Sequence, residues 1–236
     1  MGEIQKIRLI SLWIFILVFV SINICLILSQ VFHYGEVFAI GDAISERGNP
    51  WLIPYLDGRA SISRVVRGYP NSLIFKPAMI VTAILLITYW INIKKIIKKV
   101  NKDHRNLNKM FYCGVLSAVF LILHSVFLGI KFELSILKLL RRVVLLSFII
   151  LEVAAQAYLI SILIEIKSKI KILINEKILI LKRILVTILI VAAIIIAPFL
   201  PFANLKILKH ALEWNYLIGI IAFYLLTFFM WKVKKN

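Results

Sequence analysis

Residues Gln30–Asn71, QVFHYGEVFAIGDAISERGNPWLIPYLDGRASISRVVRGYPN, form the one long departure from apolar sequence in this chain. They hold four acids (Glu36, Asp42, Glu46, Asp57), four arginines (Arg47, Arg59, Arg64, Arg67) and three of the six prolines. Gly48, Pro50, Pro54, Gly58, Gly68 and Pro70 punctuate turns, while Trp51, Tyr55 and Tyr69 suit an interface where one end of a ring is wet. Val37, Phe38, Ile40, Trp51, Leu52, Ile53 and Leu56 make the stretch too apolar for a solvated tail, so it reads as a packed lid between two membrane spans.

On either side of it the chain is hydrocarbon-like. The 236 residues are 62% hydrophobic with a mean hydropathy of +0.96, against about 45–50% apolar content for a soluble domain. A water-soluble core is excluded on that ground. The net charge of +18 does not imply a nucleic-acid partner, because Lys and Arg sit between apolar runs rather than on one folded face. Cys25 and Cys113 both fall inside apolar runs, without C-x-x-C spacing, so no disulfide framework is implied.

The runs predict an all-α polytopic membrane protein, one domain of six transmembrane helices over residues 9–29, 72–93, 110–130, 143–166, 184–203 and 211–231, with a structured outer loop at 30–71. Each run is long enough to cross about 30 Å of hydrocarbon at about 1.5 Å per residue. The first is too long, and lacks the small-residue cleavage site, for a secretory signal; it reads as a retained span. With the amino terminus inside, 18 of the 29 Lys and Arg lie on the inner side, many in the connectors 94–109 and 167–183. Both termini are therefore expected in the cytoplasm.

Two motifs carry a family resemblance. In the loop, Pro54-Tyr55, Ser61-Ile62-Ser63 and Pro70 precede Ile74-Phe75 at the start of a span; in the last span, Glu213-Trp214 precedes Ala222-Phe223-Tyr224-Leu225-Leu226-Thr227-Phe228, and Tyr158 lies in the fourth. In this order, on six spans, they resemble the Frag/DRAM/Sfk family, six-span proteins related to the amino-terminal domain of GPI-lipid remodelling proteins. The resemblance implies a lipid-linked, non-catalytic role in membrane lipid organisation or remodelling. It places outer-loop motif residues at Pro54, Ser61, Ser63, Pro70 and Phe75, and others at Trp214, Tyr224 and Tyr158. The chain departs from the pattern where Arg64-Val65-Val66-Arg67 follows the serines, and where Arg141 or Arg142 stands in place of an outer His.

Residue by residue, the polar candidates are few. Glu152 lies near the midplane of the fourth span with Gln156 one turn on along the same face. A carboxyl there is expensive and needs a partner, a cavity or a use. His124, in the outer half of the third span, is placed to meet Glu152 if the two helices pack as antiparallel neighbours; a neighbouring hydroxyl such as Ser125 satisfies it otherwise. Glu213 and His210 share one face at the outer start of the last helix, where the helix dipole alone favours an acid. Together Glu152, Gln156 and His124 are expected to line one polar cavity opening outward toward Glu213.

His33, His124 and His210, with Glu36, Asp57 and Glu213, fall on or near the outer side, but no H-x-x-x-H spacing unites them. No metal site and no cofactor are expected. Lys167–Arg183 alternates cations with Ile and Leu, which suits either a bare topology signal or attraction to anionic lipids at the inner face. The end, Lys232-Val233-Lys234-Lys235-Asn236, matches a retrieval tail in a eukaryotic host. The expected partners are membrane lipids, and the expected location is a bacterial cytoplasmic membrane or a eukaryotic endomembrane of the ER or Golgi. Two other roles fit the same residues: an intramembrane lipid-remodelling enzyme using outer-side His and carboxylates, and a scaffold recruiting a cytoplasmic partner through the basic inner loops.

The orientation has a direct check. With Cys25 and Cys113 replaced by Ala, a cysteine at Arg59 is expected to react with an impermeant maleimide in intact cells, and one at Lys102 only after permeabilisation. The reverse pattern overturns the orientation.

Overall fold

The computed structural model describes residues 2–33, 37–38, 51–130, 135–196, 198 and 205–232. Glu36, Ile40, Asp42, Glu46, Arg47, Gly48 and Pro50 of the loop, residues 131–134 and the tail 233–236 lie outside the described residues. The elements are α1 (Glu3–Phe32), α2 (Pro54–Asp57), α3 (Ile62–Arg67), α4 (Asn71–Val100), α5 (Leu107–Phe127), α6 (Ser135–Glu165), α7 (Lys167–Ile170), α8 (Glu176–Ile196) and α9 (Lys206–Met230). Among them α1, α4, α5, α6, α8 and α9 are the six long and apolar enough to cross a membrane. The fold is all-α, as expected.

Helix ends differ from the apolar runs in a consistent way. α4 continues through Lys94, Lys95, Lys98 and Lys99, α8 begins at Glu176 rather than at residue 184, and α9 begins at Lys206 rather than at 211. Lys and Arg are good helix formers whose stems lie along apolar surface, so a helix outlasts its hydrocarbon run until its backbone groups reach water. α5 does the opposite and stops at Phe127, because Gly129 at φ +82° turns the chain just beyond it.

α1 packs on α4 and α9, α5 sits between α4 and α6, and α8 rests on α6 and α9. α4 and α5 meet at Gly114, where an added Cβ would stand 2.4 Å from the Trp90 ring. The Lys99–Glu3 (2.6 Å) and Lys167–Glu176 (2.7 Å) ion pairs and the His104–Glu165 hydrogen bond (2.8 Å) lie at one end of the bundle, the terminal face. There Asn175 N–H donates to the Met230 carbonyl (2.8 Å) and Lys232 N–H to that of Leu173 (2.8 Å). The described start and end of the chain thus share a face, opposite to residues 51–71.

That opposite end, the loop face, is built by short-range chemistry. Pro54, with φ already helical, opens α2, and Gly58 at φ +60° closes it. The Asp57 carboxylate accepts from Ile53 N–H (2.7 Å) and Arg59 N–H (2.9 Å). Ser61 caps α3 by accepting from Arg64 N–H (3.4 Å). The segment is then fastened to the spans. Gln30 bonds the Leu52 backbone both ways (2.9 and 2.8 Å), and Ser29 Oγ donates to the Val65 carbonyl (3.1 Å). The buried Asn71 amide donates to Val65 O (2.6 Å), Cys25 O (3.0 Å) and Ser29 Oγ (2.7 Å). Val37, Phe38, Leu52, Ala60, Val65 and Val66 are buried beneath the lid. Trp51, Ile53 and Leu56, expected to pack there too, are exposed, as is Tyr69; they stand where headgroups would meet them.

Asn71 ties α1, α3 and α4 at one point, so Asn71→Leu is expected to lower stability by about 1–3 kcal/mol, the cost of leaving buried polar groups unpaired. Thermal unfolding in mild detergent measures it. An unchanged midpoint would show that the network contributes nothing.

Candidate functional site

α6, α8 and α9 close on one another at Val153, Leu189 and Ile220. Gly219 makes the approach possible, since a Cβ there would stand 2.7 Å from Leu189 Cδ2. From that level toward the loop face the helices enclose a cavity of about 680 Å³, inside the range of about 300–1,000 Å³ typical of ligand sites. Ile14 and Val18 of α1, Phe75, Met79 and Leu86 of α4, Leu121 of α5 and Leu217 and Ile221 of α9 form its inner walls, and Val66 of α3 lies against it. Leu146 and Ile150 of α6, with Ile190 and Ile194 of α8, both line the space and are exposed. The cavity therefore opens sideways between α6 and α8, onto surface that hydrocarbon would cover.

Glu152 is at its buried end, fully enclosed. Ser117 Oγ donates to Oε2 (2.7 Å), while Tyr224 OH and Gln156 Nε2 (3.1 Å) donate to Oε1. Gln156 also reaches the Ile220 carbonyl (3.3 Å). Three donors from three helices satisfy a carboxyl group that would otherwise be costly in hydrocarbon. Tyr89 and Trp90 back this cluster with edge-to-face rings, at 5.1 Å between Tyr89 and Tyr224 and 5.0 Å between Tyr89 and Trp90.

His124 lines the same cavity but does not bond Glu152. Ser117, not His124, is the α5 residue level with the carboxyl; His124 stands two turns, about 10 Å, nearer the loop face. Its Nδ1 is buried and has no hydrogen-bond partner among the described residues. Glu213 also faces the cavity and accepts from the Ile62 N–H in the first turn of α3. Because α9 starts at Lys206, Glu213 lies in its second turn, and its carboxyl serves α3 rather than the dipole of its own helix.

The structure thus gathers Glu152, Tyr224, His124, Glu213, Ser63 and Phe75 around one space. Gln156 stands behind it, bonded to Glu152. Trp214 and His210 are lid anchors: the buried Trp214 indole donates to the Ala60 carbonyl (2.8 Å) and packs edge-on against Tyr55 (4.7 Å), and His210 Nδ1 bonds Gly58 O (3.1 Å). Pro54 and Ser61 shape α2 and α3, Pro70 precedes α4, and Tyr158 is half-buried against the core away from the cavity. The expected polar cavity is in fact walled mostly by Ile, Leu, Val, Phe and Met. Among the described residues no three His, Cys, Asp or Glu side chains converge as a metal-binding group.

Two polar groups escaped sequence reading. Ser117 is one of the small hydroxyls inside an apolar span, and only its level on α5 distinguishes it. Lys182, expected in a basic loop at the headgroups, is instead fully buried in α8, donating to Thr227 Oγ1 (2.6 Å) with Nζ 3.7 Å from the Phe223 ring centre. A signal for it existed. Leu179, Lys182, Val186 and Leu189 fall on one helical stripe, so extending the apolar face of α8 backwards passes through the lysine.

Glu152→Gln keeps shape and most hydrogen bonding, so its unfolding midpoint in detergent is expected near that of the unmodified protein. Glu152→Leu takes away the carboxyl acceptor of Tyr224 and leaves Ser117 and Gln156 only their backbone acceptors at Gly114 and Ile220, and is expected to cost about 1–2 kcal/mol. Equal losses in the two variants would show that hydrogen bonding does not hold this cluster. Scans against protein-family models, curated proteins and solved structures return no match to the chain.

Proposed function

We propose that this chain is a lipid-binding membrane factor of the Frag/DRAM/Sfk type, acting in the organisation or remodelling of membrane lipid without catalysing a step itself. The observation that carries the reading is the cavity of about 680 Å³ with apolar walls and a sideways opening between α6 and α8. Such a space offers an acyl chain a path from bilayer to protein without crossing water. In the orientation expected from the Lys and Arg distribution, the terminal face is cytoplasmic and the cavity belongs to the outer leaflet. The resemblance in the loop and last span supports the same lipid-linked role.

One observation favours a second reading, an intramembrane lipid-remodelling enzyme. His124, whose Nδ1 has no partner among the described residues, shares the cavity with Glu152 and Glu213. The two readings separate on whether bound lipid is recovered chemically unchanged.

Protein purified in mild detergent is expected to retain lipid through size-exclusion chromatography, detected by extraction and mass spectrometry. Ala154→Phe and Ala193→Trp, which fill the cavity and its portal, are expected to lose most of that lipid at an unchanged unfolding midpoint. Retention equal to the unmodified protein in both variants, or no retained lipid at all, overturns the proposal.

A further inference from the structure

Most of the polar side chains that line the cavity are already engaged within the protein. Thr82 Oγ1 donates to the Ala78 carbonyl (2.8 Å), and Ser63 Oγ pairs with Ser61 Oγ (3.2 Å). Tyr224 donates to Glu152, Glu213 accepts from Ile62 N–H, and Lys209 is engaged too. Tyr216 packs against the Val153–Leu189–Ile220 closure. His124 differs. Its Nδ1 is buried and has no hydrogen-bond partner among the described residues. Ser125, the hydroxyl next to it in sequence, donates instead to the Leu121 carbonyl (2.8 Å). A buried ring nitrogen left unpaired is costly, so a partner is expected from whatever fills the space.

The level of the ring narrows what that partner is. His124 stands in the last turn of α5, about 4.5 Å of helical rise before its end at Phe127, and Gly129 turns the chain just beyond. Where a spanning helix ends, the hydrocarbon ends, and the lipid group found at that boundary is the ester joining an acyl chain to glycerol. The ester carbonyl only accepts hydrogen bonds. An imidazole carries at least one N–H in its neutral and its charged form, so it can donate to such a group. The remaining walls, mostly Ile, Leu, Val, Phe and Met, suit the chain itself.

We propose that the occupant is an ester-linked glycerolipid whose acyl carbonyl accepts a hydrogen bond from the His124 imidazole. This inference rests on the reading of the cavity as a lipid site and adds the linkage that the site recognises. A bare hydrocarbon chain would fill the same walls and leave the ring unbonded. An ether-linked lipid of the same shape brings no carbonyl, only a single-bonded oxygen that accepts more weakly. His124 is thus a specificity residue: it reads the junction of chain and glycerol, not the headgroup beyond.

Nanodiscs holding equal amounts of diester and diether phosphatidylcholine, matched in chain length, test the linkage with the headgroup held constant. The protein is extracted in mild detergent, passed through chromatography, and its retained lipid measured by mass spectrometry. The diester form is expected in about fivefold excess, the effect of one neutral hydrogen bond. H124L is expected to retain the two forms equally, whereas H124Q, whose amide still donates, is expected to keep much of the preference. S125A removes a hydroxyl that bonds its own helix and is expected to leave the preference unchanged. If H124L does not fold, the ratio in the unmodified protein still decides the linkage. Equal retention of the two forms by the unmodified protein, or an undiminished preference in H124L, overturns the assignment while the lipid cavity stands. Absence of any retained lipid overturns both.

Discussion

Inside hydrocarbon no water is available to a polar side chain, and this one constraint sets how the helices of this bundle meet. An intramembrane polar group has to find its partner inside the protein, and where that partner stands on a neighbouring helix the bond acts as a register pin. Glu152 fixes α5 and α9 against α6 through Ser117 and Tyr224. Lys182 fixes α8 against α9 through Thr227, and Asn71 fixes α1, α3 and α4. Apolar contacts supply the packing, but Leu against Ile tolerates a shift of one turn and these bonds do not. The cavity lies outward of the Val153–Leu189–Ile220 closure, with the Glu152–Tyr224 bond in its lining.

The loop face obeys the same rule from the other side. Its backbone carbonyls at Leu52, Tyr55, Gly58, Ala60 and Val65 each accept from a side chain on a long helix: Gln30, Asn215, His210, Trp214 and, at Val65, both Ser29 and Asn71. A segment without long elements of its own is thereby fastened to the spans at five of its carbonyls. The polar motif in the loop and the Glu213-Trp214 pair read as distant in sequence, yet they are the two halves of this one fastening.

Much of the fold was legible because hydropathy over twenty residues has a single cause, the thickness of a bilayer. Six spans, all-α class and the loop's folded character came from that and from turn chemistry. Helix ends were not legible, since Lys94 to Lys99 and Lys177 to Arg183 look like loop by polarity while being good helix formers. Glu152 with Gln156 was visible from spacing within one helix. Its pairing with Ser117 rather than His124 was not, because relative level between two helices depends on connector geometry. The cavity was invisible for a simpler reason. A leucine facing a void, a leucine facing lipid and a leucine in a core are the same letter.

Two of the tight glycine contacts, at Gly114 and Gly58, carry opposite genetic consequences. At Gly114 the obstacle to a larger residue is the Trp90 side chain, so a smaller residue at 90 makes room and a second-site suppressor exists in principle. At Gly58 the obstacle is the carbonyl oxygen of Ile207, 2.0 Å from where a Cβ would sit, and the φ of +60° adds its own penalty. Every residue at 207 carries that oxygen. No substitution at the partner position relieves a side chain at 58, so the contact between lid and last helix leaves that one position without a compensating route through sequence space.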